Sequence, residues 1–469
     1  MIGMRFPWPA ILLLIFFSSG VLAHDMRFES VAGEVTTNEY RSFIEHLDRQ
    51  LPPTPSNNLG NVMAYERVGG ATLHGMQTFY GFTRDRRVLD KAVDWSDAFL
   101  HARNDSTNGR ILWTGRRELC WPNKDPNDTA HFLYSGTENG DVIEHICNTA
   151  RLILENPPVW PESAPPDRFG FGATYLDRAR TYVRECQRSA ETTIVPWYVR
   201  GTKDGYRLIH PDSPVYYKYC ESSGPVPWNQ QQMIVGGLLR LAQCHRLLND
   251  GNPNIAYYEK ITGDAADWFF STCLPVRSKD RACYQWSYVV AMDIPSDPED
   301  TGHSYYDVYA YRAYLADLGP TRTNMQRLIN TARFIMYLGT NHFSGIINGT
   351  SNERRYERDY LNYSWIELSV LDRQFYKMTA NAVLASREYR DDIPVEAAVL
   401  AAKHFWATNT DAPQEIIEDA SGLPLMPRGS PILSKLKTHW RLAGIIVLVW
   451  LGVRLLMLYF RRYQARVKI

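Results

Sequence analysis

The sequence predicts an all-α protein whose main body is built from pairs of helices. Apolar residues recur at spacings of three and four, and short polar turns separate the segments in which they do so. That spacing places side chains on one face of a helix, whereas a half-buried strand would show strict alternation. Strand patterns are rare, and the best of them, "YRLIHP" at residues 206–211, is expected in a loop.

The first helix pair illustrates the pattern. A long apolar and aromatic segment runs to Phe82 and is followed by the polar turn "TRDRR". After the turn, Val88, Ala92, Trp95 and Phe99 are spaced by four, three and four, which predicts a second, amphipathic helix. A long helix, a polar turn and a shorter helix together form an αα-hairpin.

The same arrangement recurs four more times, and a further helix, "TTNEYRSFIEHLDRQL", leads the first pair, so about eleven helices are predicted. Short regular repeats stack into a solenoid, whereas longer and irregular ones close into a ring. Irregular spacing and long polar loops at 104–136 and 196–227 favour the ring. The later pairs are "GDVIEHICNTARLIL" with "ATYLDRARTYVREC", "WNQQQMIVGGLLRLAQCHRLL" with "AYYEKITGDAADWFFSTCL", "SYYDVYAYRAYLADL" with "NMQRLINTARFIMYL", and "YSWIELSVLDRQFYKMTANAVLA" with "VEAAVLAAKHFWAT".

In this organisation the chain resembles the six-hairpin glycosidase-like proteins, the (α/α)6 toroid enzymes that act on sugars. The resemblance covers about residues 36–410 and lies in the helical hairpins, in turns such as "GFTRDRRVLDKAVDWSDAFL" and in aromatic-rich helix starts. It implies a helical toroid as the catalytic domain, over residues 24–412, and a carbohydrate substrate. It points to no specific family, so the candidate residues below follow from the sequence itself.

Both ends of the chain predict export and attachment to a membrane. Residues 1–23 combine one basic residue, an apolar run and a small-residue pattern, which is typical of a secretory signal peptide. Residues 441–460 are apolar and long enough to cross a bilayer at ~1.5 Å per residue. A stalk at 413–440 and a basic cytoplasmic tail at 461–469 flank this predicted single transmembrane helix, and the body is expected in the periplasm, the lumen or outside the cell.

The charge of the exported body argues against a nucleic-acid partner. The chain has 51 basic and 51 acidic residues; eight of the basic ones lie after residue 434 and one lies in the signal peptide, so the body is net about −9. A surface of this sign does not attract polyanions in general. The expected partners are a carbohydrate and the membrane.

The cysteines and glycosylation sequons add little. Seven cysteines show no CxxC spacing, and their pairing cannot be derived from sequence. Four asparagines begin an N-x-S/T sequon, which predicts a glycoprotein if the host is eukaryotic; they are Asn104, Asn127, Asn348 and Asn362.

In a ring of this kind the starts of the inner helices form the binding pit, and here those starts are rich in aromatic and polar residues. Aromatic faces suit the C–H side of a pyranose, and planar polar groups suit its hydroxyls. The residues predicted to bind substrate are Trp228, Asn229, Gln230, Arg354, Tyr363 and Trp365.

Residues 299–307, "EDTGHSYYD", are the densest candidate for chemistry. Asp300 or Thr301 would cap a helix start, but a cap does not account for the residues that follow. Helical spacing places His303 beside Tyr306 and Asp307, where a carboxylate would orient the imidazole. Together with one carboxylate from another helix, the predicted catalytic residues are Glu299, Asp300, His303, Tyr305, Tyr306, Asp307 and Glu367.

Two mechanisms fit these residues. Glycoside hydrolysis takes two carboxyl groups, ~5 Å apart for retention and ~6.5–9.5 Å for inversion, so Glu299 or Asp300 would work with Glu367 or Glu66. Elimination or epimerisation at a uronic acid takes a His or Tyr base and a group that neutralises the sugar carboxylate. His303 with Tyr305 or Tyr306 would serve as that base, supported by Asn229 or Gln230 and by an arginine such as Arg354 or Arg355.

The sequence favours hydrolysis slightly, because the body is acidic and the fold contains many hydrolases. A lyase, an epimerase and a glycan-binding receptor without catalytic activity remain as alternatives, since a fold does not determine a function. No cofactor is expected, because no phosphate loop or dinucleotide motif is present. No metal is expected either, because the motif has no second histidine near His303.

Overall fold

The computed structural model describes residues 28–53, 68–105, 109–112, 114–124, 133–134, 137–208, 227–289, 298–350, 360–386, 389, 392–409 and 415–426. Among these residues, 59% are helical and 10% lie in strands. The all-α class predicted from the sequence is therefore confirmed.

The helices follow one another with short hairpins of strand between some of them. Each hairpin is a separate sheet of two antiparallel strands that follow one another in the chain. The helices are α1 Thr37–Asp48, α2 Val68–Thr83, α3 Arg86–His101, α4 Glu138–Leu154, α5 Tyr175–Ser189, α6 Val195–Tyr198, α7 Trp228–Leu248, α8 Ile255–Thr272, α9 Ser304–Asp307, α10 Ala310–Leu315, α11 Arg322–Thr331, α12 Tyr363–Glu367, α13 Arg373–Ala385 and α14 Ile393–Thr408. The strands are β1 Asn123–Lys124, β2 Leu133–Tyr134, β3 Val199–Thr202, β4 Gly205–Leu208, β5 Leu274–Ser278, β6 Arg281–Gln285, β7 Tyr337–Gly339 and β8 His342–Phe343.

Side-chain caps determine where several helices begin. Thr36 accepts from the Glu39 amide and Glu39 accepts from the Thr36 amide, which is a capping box at the start of α1. The Thr174 and Thr321 side chains make the equivalent boxes before α5 and α11. Each box satisfies backbone donors that a helix start leaves without a partner.

Six helices contact one another in a cyclic order. Helix α2 packs on α4, α4 on α7, α7 on α9, α9 on α12, α12 on α14, and α14 again on α2. Other helices pack against this set: α3 contacts α2 and α4, α5 contacts α4 and α7, α8 contacts α7, and both α1 and α13 contact α14. The first and last helices of the described chain are therefore neighbours.

Glycines allow α4 and α7 to approach closely. A Cβ on Gly140 would lie 2.5 Å from both the Ile234 Cα and the Met233 carbonyl oxygen, and a Cβ on Gly237 would meet the Gly140 carbonyl. No side chain fits at such distances, so the backbones touch directly. Contacts further along, between Glu144 and Arg240 and between Cys147 and Cys244, show that the two helices run in parallel.

The core is continuous and rich in aromatic side chains, and it also holds charged pairs. Lys403 on α14 is fully buried, and its Nζ lies 2.8 Å from both carboxylate oxygens of Glu39 on α1. On the same two helices, His46 Nδ1 lies 3.2 Å from Glu396 Oε2. These pairs attach α1 to α14, two helices that are separated by most of the sequence.

Two predicted helices are interrupted in the structure. The segment predicted as one helix at 304–318 forms α9 and α10, with Val308 and Tyr309 between them. The segment at 363–385 forms α12 and α13, because the Asp372 carboxylate accepts from the Gln374 and Phe375 amides and begins a new helix there. The strand expected within "YRLIHP" is present as β4, but the other hairpins were not predicted.

The membrane segments predicted from the sequence lie outside the described residues, as does most of the stalk. Within the described ranges, no helix is both long and apolar enough to cross a membrane. Residues 415–426 pack on the body: the Arg277 amide donates to the Pro424 carbonyl at 2.8 Å and the Met426 amide donates to the Arg277 carbonyl at 2.9 Å. Ion pairs of Glu415 and Glu418 with Arg281 and Arg327 support this contact.

Six cysteines are described and all are buried: Cys120, Cys147, Cys186, Cys244, Cys273 and Cys283. Among the described residues, the last five of these form no disulfide. Of the four sequon asparagines, Asn104 is fully buried. Its side-chain amide donates to the Arg110 carbonyl and accepts from the Arg110 amide. A glycan at Asn104 is therefore incompatible with the folded structure.

Candidate active site

The "EDTGHSYYD" segment begins with the predicted cap. Asp300 Oδ1 accepts from the Gly302 amide at 2.7 Å and from the His303 amide at 2.9 Å. His303 Nδ1 lies 2.7 Å from Asp300 Oδ2, so Asp300 and not Asp307 orients the imidazole. The expected spacing fails because α9 begins only at Ser304, which leaves His303 before the helix.

Glu299 and Asp307 form a buried acid pair. Both side chains are fully buried and interact with each other, and the Trp286 indole donates to Asp307 Oδ2 at 2.8 Å. Burial raises the pKa of Asp307 to about 7, and burial together with the Asp307 charge raises the pKa of Glu299 well above its usual range. The pair therefore shares a proton at neutral pH.

The tryptophans predicted to bind sugar lie in the core. Trp228 packs edge-to-face on Trp268 and Phe269. Trp365 stacks on Trp286, and its indole donates to Ser304 at 3.2 Å. Both are almost fully enclosed, so they stabilise the helix starts and present no open face to a sugar.

Other predicted residues are dispersed. Asn229 and Gln230 lie in the first turn of α7. Tyr305 and Tyr363 are buried, with their ring centroids 5.7 Å apart. Arg354, together with the alternatives Arg355 and Glu66, lies outside the described residues.

The structure brings a different set of polar side chains together in the middle of the cyclic helices. We call this set the central cluster. Tyr306, Tyr363 and Glu367 belong to it and were predicted; the other members were not. The full set, from α2, α4, α9, α10, α12 and the α9–α10 link, is His74, Asp141, Glu144, His145, Tyr306, Tyr309, Tyr311, Arg312, Tyr363 and Glu367.

Glu367 connects two members of the central cluster. Its Oε1 lies 2.5 Å from His74 Nε2, and its Oε2 accepts from the Tyr311 hydroxyl at 2.7 Å. Burial alone would raise the pKa of Glu367, but the neighbouring His74 and Arg312 and the hydrogen bonds from His74 and Tyr311 lower it. The carboxylate is therefore ionised at neutral pH and oriented on both sides.

Asp141 likewise connects a histidine, His145, with a tyrosine hydroxyl. Its Oδ2 lies 3.2 Å from His145 Nε2 and accepts from the Tyr306 hydroxyl at 3.3 Å. Burial alone would lower the pKa of His145, but the charges on Asp141 and Glu144 raise it. The His145 ring lies 6.2 Å from the His74 ring, measured between centroids, so two histidine–carboxylate pairs face the same region.

Arginines neutralise the third acid, Glu144. Arg312 Nη1 donates to Glu144 Oε1, and Arg240 Nε lies 3.5 Å from the same oxygen. Burial would raise the pKa of Glu144, but these arginines and His145 hold it well below its usual range. Arg312 also lies 3.6 Å from the Tyr309 ring centroid, and the Tyr309 and Tyr363 hydroxyls are 2.6 Å apart.

Several buried atoms of the central cluster have no hydrogen-bond partner in the described structure. They are His74 Nδ1, His145 Nδ1, Asp141 Oδ1, Glu144 Oε2, and Arg312 Nε and Nη2. Each such atom costs about 1–3 kcal/mol when left dry, and folded proteins rarely tolerate many of them. Their concentration in one place indicates a region that takes water or a polar ligand.

Within the part of the chain that the structure describes, two groups of side chains have the spacing of metal ligands. In Asp141, Glu144 and His145, and separately in Glu299, Asp300 and His303, one ligand atom from each residue lies within 4.8 Å of the others. In the first group Arg312 and Arg240 already supply positive charge to Glu144. A divalent cation would have to bind beside two guanidinium groups, which Coulomb repulsion opposes.

Sequence patterns could have pointed to part of the central cluster. Asp141, Glu144 and His145 lie at i, i+3 and i+4 in "GDVIEH", which places all three on one helical face. His74 gave no such indication, because it is a single histidine in an apolar segment and its partner is 293 residues away.

Comparisons with protein-family models, with curated proteins and with solved structures found no match. The function proposed below therefore rests on the geometry of the central cluster and on the sequence.

Proposed function

We propose that the chain is a membrane-anchored glycan-processing enzyme with the (α/α)6 toroid architecture of the six-hairpin glycosidase-like proteins. The cyclic contacts of six helices support the toroid, with α1, α3, α5, α8, α11 and α13 as its outer helices. The predicted signal peptide and transmembrane segment support export with a single C-terminal anchor. The resemblance of the helical hairpins to those of the sugar-active toroid enzymes supports a carbohydrate substrate.

The chemistry that the site favours is acid–base catalysis by histidine and tyrosine on a uronic acid sugar. One observation carries this choice: His74 and His145 each bond a carboxylate through Nε2 while Nδ1 has no partner in the described structure. A carboxylate on one ring nitrogen determines the tautomer and leaves the other nitrogen for proton transfer. Two such imidazoles close together supply a base and an acid.

The roles follow from the charges around each ring. His74 donates Nε2–H to Glu367, which leaves a lone pair on Nδ1 as the base. The raised pKa of His145 favours the imidazolium, whose Nδ1–H is the acid. The unpartnered Nε and Nη2 of Arg312 would bind the sugar carboxylate and stabilise the charge that develops on it.

The elimination then proceeds with each proton assigned. His74 Nδ1 takes the proton from the ring carbon beside the carboxylate. The bond between the next carbon and the leaving oxygen breaks, a C=C bond forms between the two carbons, and His145 Nδ1 gives its proton to the leaving oxygen. If the C–O bond stays intact and a proton returns to the opposite face, the same residues epimerise the sugar.

Hydrolysis fits the central cluster less well. A glycoside hydrolase needs one protonated carboxylic acid beside the glycosidic oxygen. Glu144 and Glu367 are both held ionised by positive neighbours. Glu299 and Asp307 have raised pKa values, but they lie beside Trp286 in the aromatic core. Glu396, whose pKa is also raised, pairs with His46 on α1.

The test uses full-length protein in detergent and short oligosaccharides, with and without uronic acids. Short substrates come first because His145 and Asp141 are only 1% exposed, so an opened form must admit the sugar. Ultraviolet absorbance from a new conjugated C=C bond is the expected result. Exchange of a ring proton without scission would identify the epimerase. New reducing ends without absorbance would overturn elimination in favour of hydrolysis, and binding alone would indicate a receptor.

A further inference from the structure

Two adjacent glutamines near the start of α7, Gln231 and Gln232, are buried and make no side-chain hydrogen bond within the described part of the chain. Their exposed fractions are 1% and 0%. Among the described residues, neither the Nε2 nor the Oε1 of either side chain has a hydrogen-bond partner. The neighbouring Asn229 Oδ1 and Gln230 Oε1 are in the same state.

Two other buried glutamines show how this protein satisfies a structural amide. Gln77 donates to the His145 carbonyl at 2.6 Å and to Thr149 at 2.9 Å, and accepts from Asn148 at 2.7 Å. Gln326 bonds Asp372 and Asn330 through Nε2, and its Oε1 accepts from the Ile416 amide. Gln231 and Gln232 differ from both, because among the described residues neither their Nε2 atoms donate nor their Oε1 atoms accept a hydrogen bond.

The parallel packing of α4 and α7 directs Gln232 toward the central cluster. Gln232, Gly236 and Arg240 are spaced by four, so they share one face of α7. On that face a Cβ at Gly236 would lie 3.5 Å from Glu144 Oε2, and Arg240 pairs with Glu144. Gln232 therefore lies one helical turn before the residues that contact Glu144, toward the helix starts.

We propose that Gln231 and Gln232 form a binding subsite for the hydroxyl groups of a sugar, next to the central cluster. A primary amide offers two donors and an acceptor in one plane, and neighbouring sugar hydroxyls donate and accept in turn. The two amides double this capacity at consecutive positions. The subsite rests on the proposed function only in that its ligand is a sugar; it does not require that the sugar is cleaved.

The first measurement is the melting temperature of free Gln232→Met and Gln231→Met. Methionine has a similar length and no polar amide, so each change removes buried polar atoms that have no partner, and Tm is expected to rise by about 1–3 °C. The matched control is Gln77→Met, which strips partners from Asn148 and Thr149 and is expected to lower Tm. A fall in Tm for Gln232→Met as large as that for Gln77→Met would overturn the proposal, because the amide would then be structural.

The second measurement is sugar affinity by calorimetry, in a His145→Asn background that prevents turnover, with a panel of uronate and neutral oligosaccharides as probes. Gln232→Met is expected to weaken binding at least about tenfold, since a site built to bond a hydroxyl loses more than the bond when a partner is removed. Gln326→Met, on α11, is expected to leave affinity unchanged. Unchanged affinity in both glutamine variants of α7 would overturn the subsite.

The two proposals fail in different ways. If wild type binds a sugar but neither cleaves nor epimerises it, the catalytic proposal fails and the affinity of Gln232→Met still decides the subsite. If no oligosaccharide of the panel binds to the wild-type protein, both proposals are wrong.

Discussion

His74 and Glu367 form a hydrogen bond of 2.5 Å although 293 residues separate them in the chain. Their helices, α2 and α12, are not consecutive in the cyclic order, because α14 lies between them. The pair therefore spans the middle of the helix assembly, and its geometry depends on the packing of all three helices. Changes to the pair and to its neighbours test both the site and the fold.

Replacing the imidazoles of His74 and His145, whose Nδ1 atoms have no partner in the described structure, should strongly reduce activity. We expect His74→Asn and His145→Asn each to lower the rate on the true substrate at least ~100-fold, the usual scale for a general acid or base. The control is His245→Asn, because both ring nitrogens of His245 are bonded, to Asp250 and Asn252, at the far end of α7. Steady-state rates with circular dichroism to verify folding provide the measurement, and equal losses in all three variants would contradict the assignment.

His303→Ala separates the central cluster from the "EDTGHSYYD" segment. His303 is oriented by Asp300, which also caps the segment, so we expect a loss of activity below about tenfold. The comparison is with His145→Asn, measured on the same substrate at the same pH. A loss for His303→Ala of ~100-fold or more would move the catalytic site to residues 299–303, where the sequence predicted it.

The Glu299–Asp307 pair predicts a dependence of stability on pH. Both carboxyl groups have raised pKa values in the folded state, about 7 for Asp307, so each favours folding while it is protonated. Their contribution is complete below the unfolded pKa of about 4 and is lost as pH rises to about 7 and beyond. Asp307→Asn should flatten this decline and stabilise the protein above pH 7, on the order of a few kcal/mol.

Thermal unfolding between pH 5 and pH 9 would measure this effect. The asparagine can still accept from the Trp286 indole and donate to Glu299, so packing is retained. The prediction is wrong if the wild type and Asp307→Asn lose stability in parallel over that range.

The glycine contact between α4 and α7 should be intolerant of a methyl group. Gly140→Ala places a Cβ 2.5 Å from the Ile234 backbone, so we expect a loss of about 1–3 kcal/mol or more from the free energy of unfolding. Gly81→Ala is the matched control: Gly81 is also helical, but its Cβ would meet nothing within 4 Å. That change should add about 0.5–1 kcal/mol. Urea unfolding gives the free energies of both variants. If Gly140→Ala is no less stable than Gly81→Ala, the close packing of α4 and α7 is refuted.

For the buried ion pair of Lys403 with Glu39, removing one charge should destabilise the protein more than removing both charges. Lys403→Met leaves the Glu39 carboxylate buried without its cation, which typically costs 3–5 kcal/mol. The double variant Lys403→Met with Glu39→Gln removes both charges, while glutamine can still accept from the Thr36 amide in the capping box, and it should recover most of that loss. Denaturant unfolding of the two variants gives the comparison, and a double variant less stable than Lys403→Met would contradict it.

The helical hairpins could be predicted because each depends on local spacing and caps. The face formed by Val88, Ala92, Trp95 and Phe99 is visible in the sequence and becomes one buried side of α3. The break at Asp372 could not be predicted with the same ease, because an aspartate can begin a helix or lie on the surface of one. Tertiary contacts decide between these outcomes.

The site was harder to predict than the fold. The sequence pointed to Tyr306, Tyr363 and Glu367, all of which lie in the central cluster, and grouped them with His303 and Asp307, which lie outside it. Trp228 and Trp365 share the composition of a sugar platform but lie in the core, because aromatic residues at helix starts also stabilise helix contacts. The pairing of His74 with Glu367 depends on long-range packing that no local pattern contains.

The ion pair between α1 and α14 also has a consequence for synthesis. During translation Glu39 emerges near the beginning of the chain and Lys403 more than 350 residues later. A buried carboxylate without its cation is strongly unfavourable, so α1 cannot adopt its final packing while the ribosome is still adding the middle of the chain. Contacts of such large sequence separation form slowly. Helix α14, the last helix within the described residues, therefore completes the packing of α1, and a nascent chain that stops before α14 leaves α1 available to quality-control proteases.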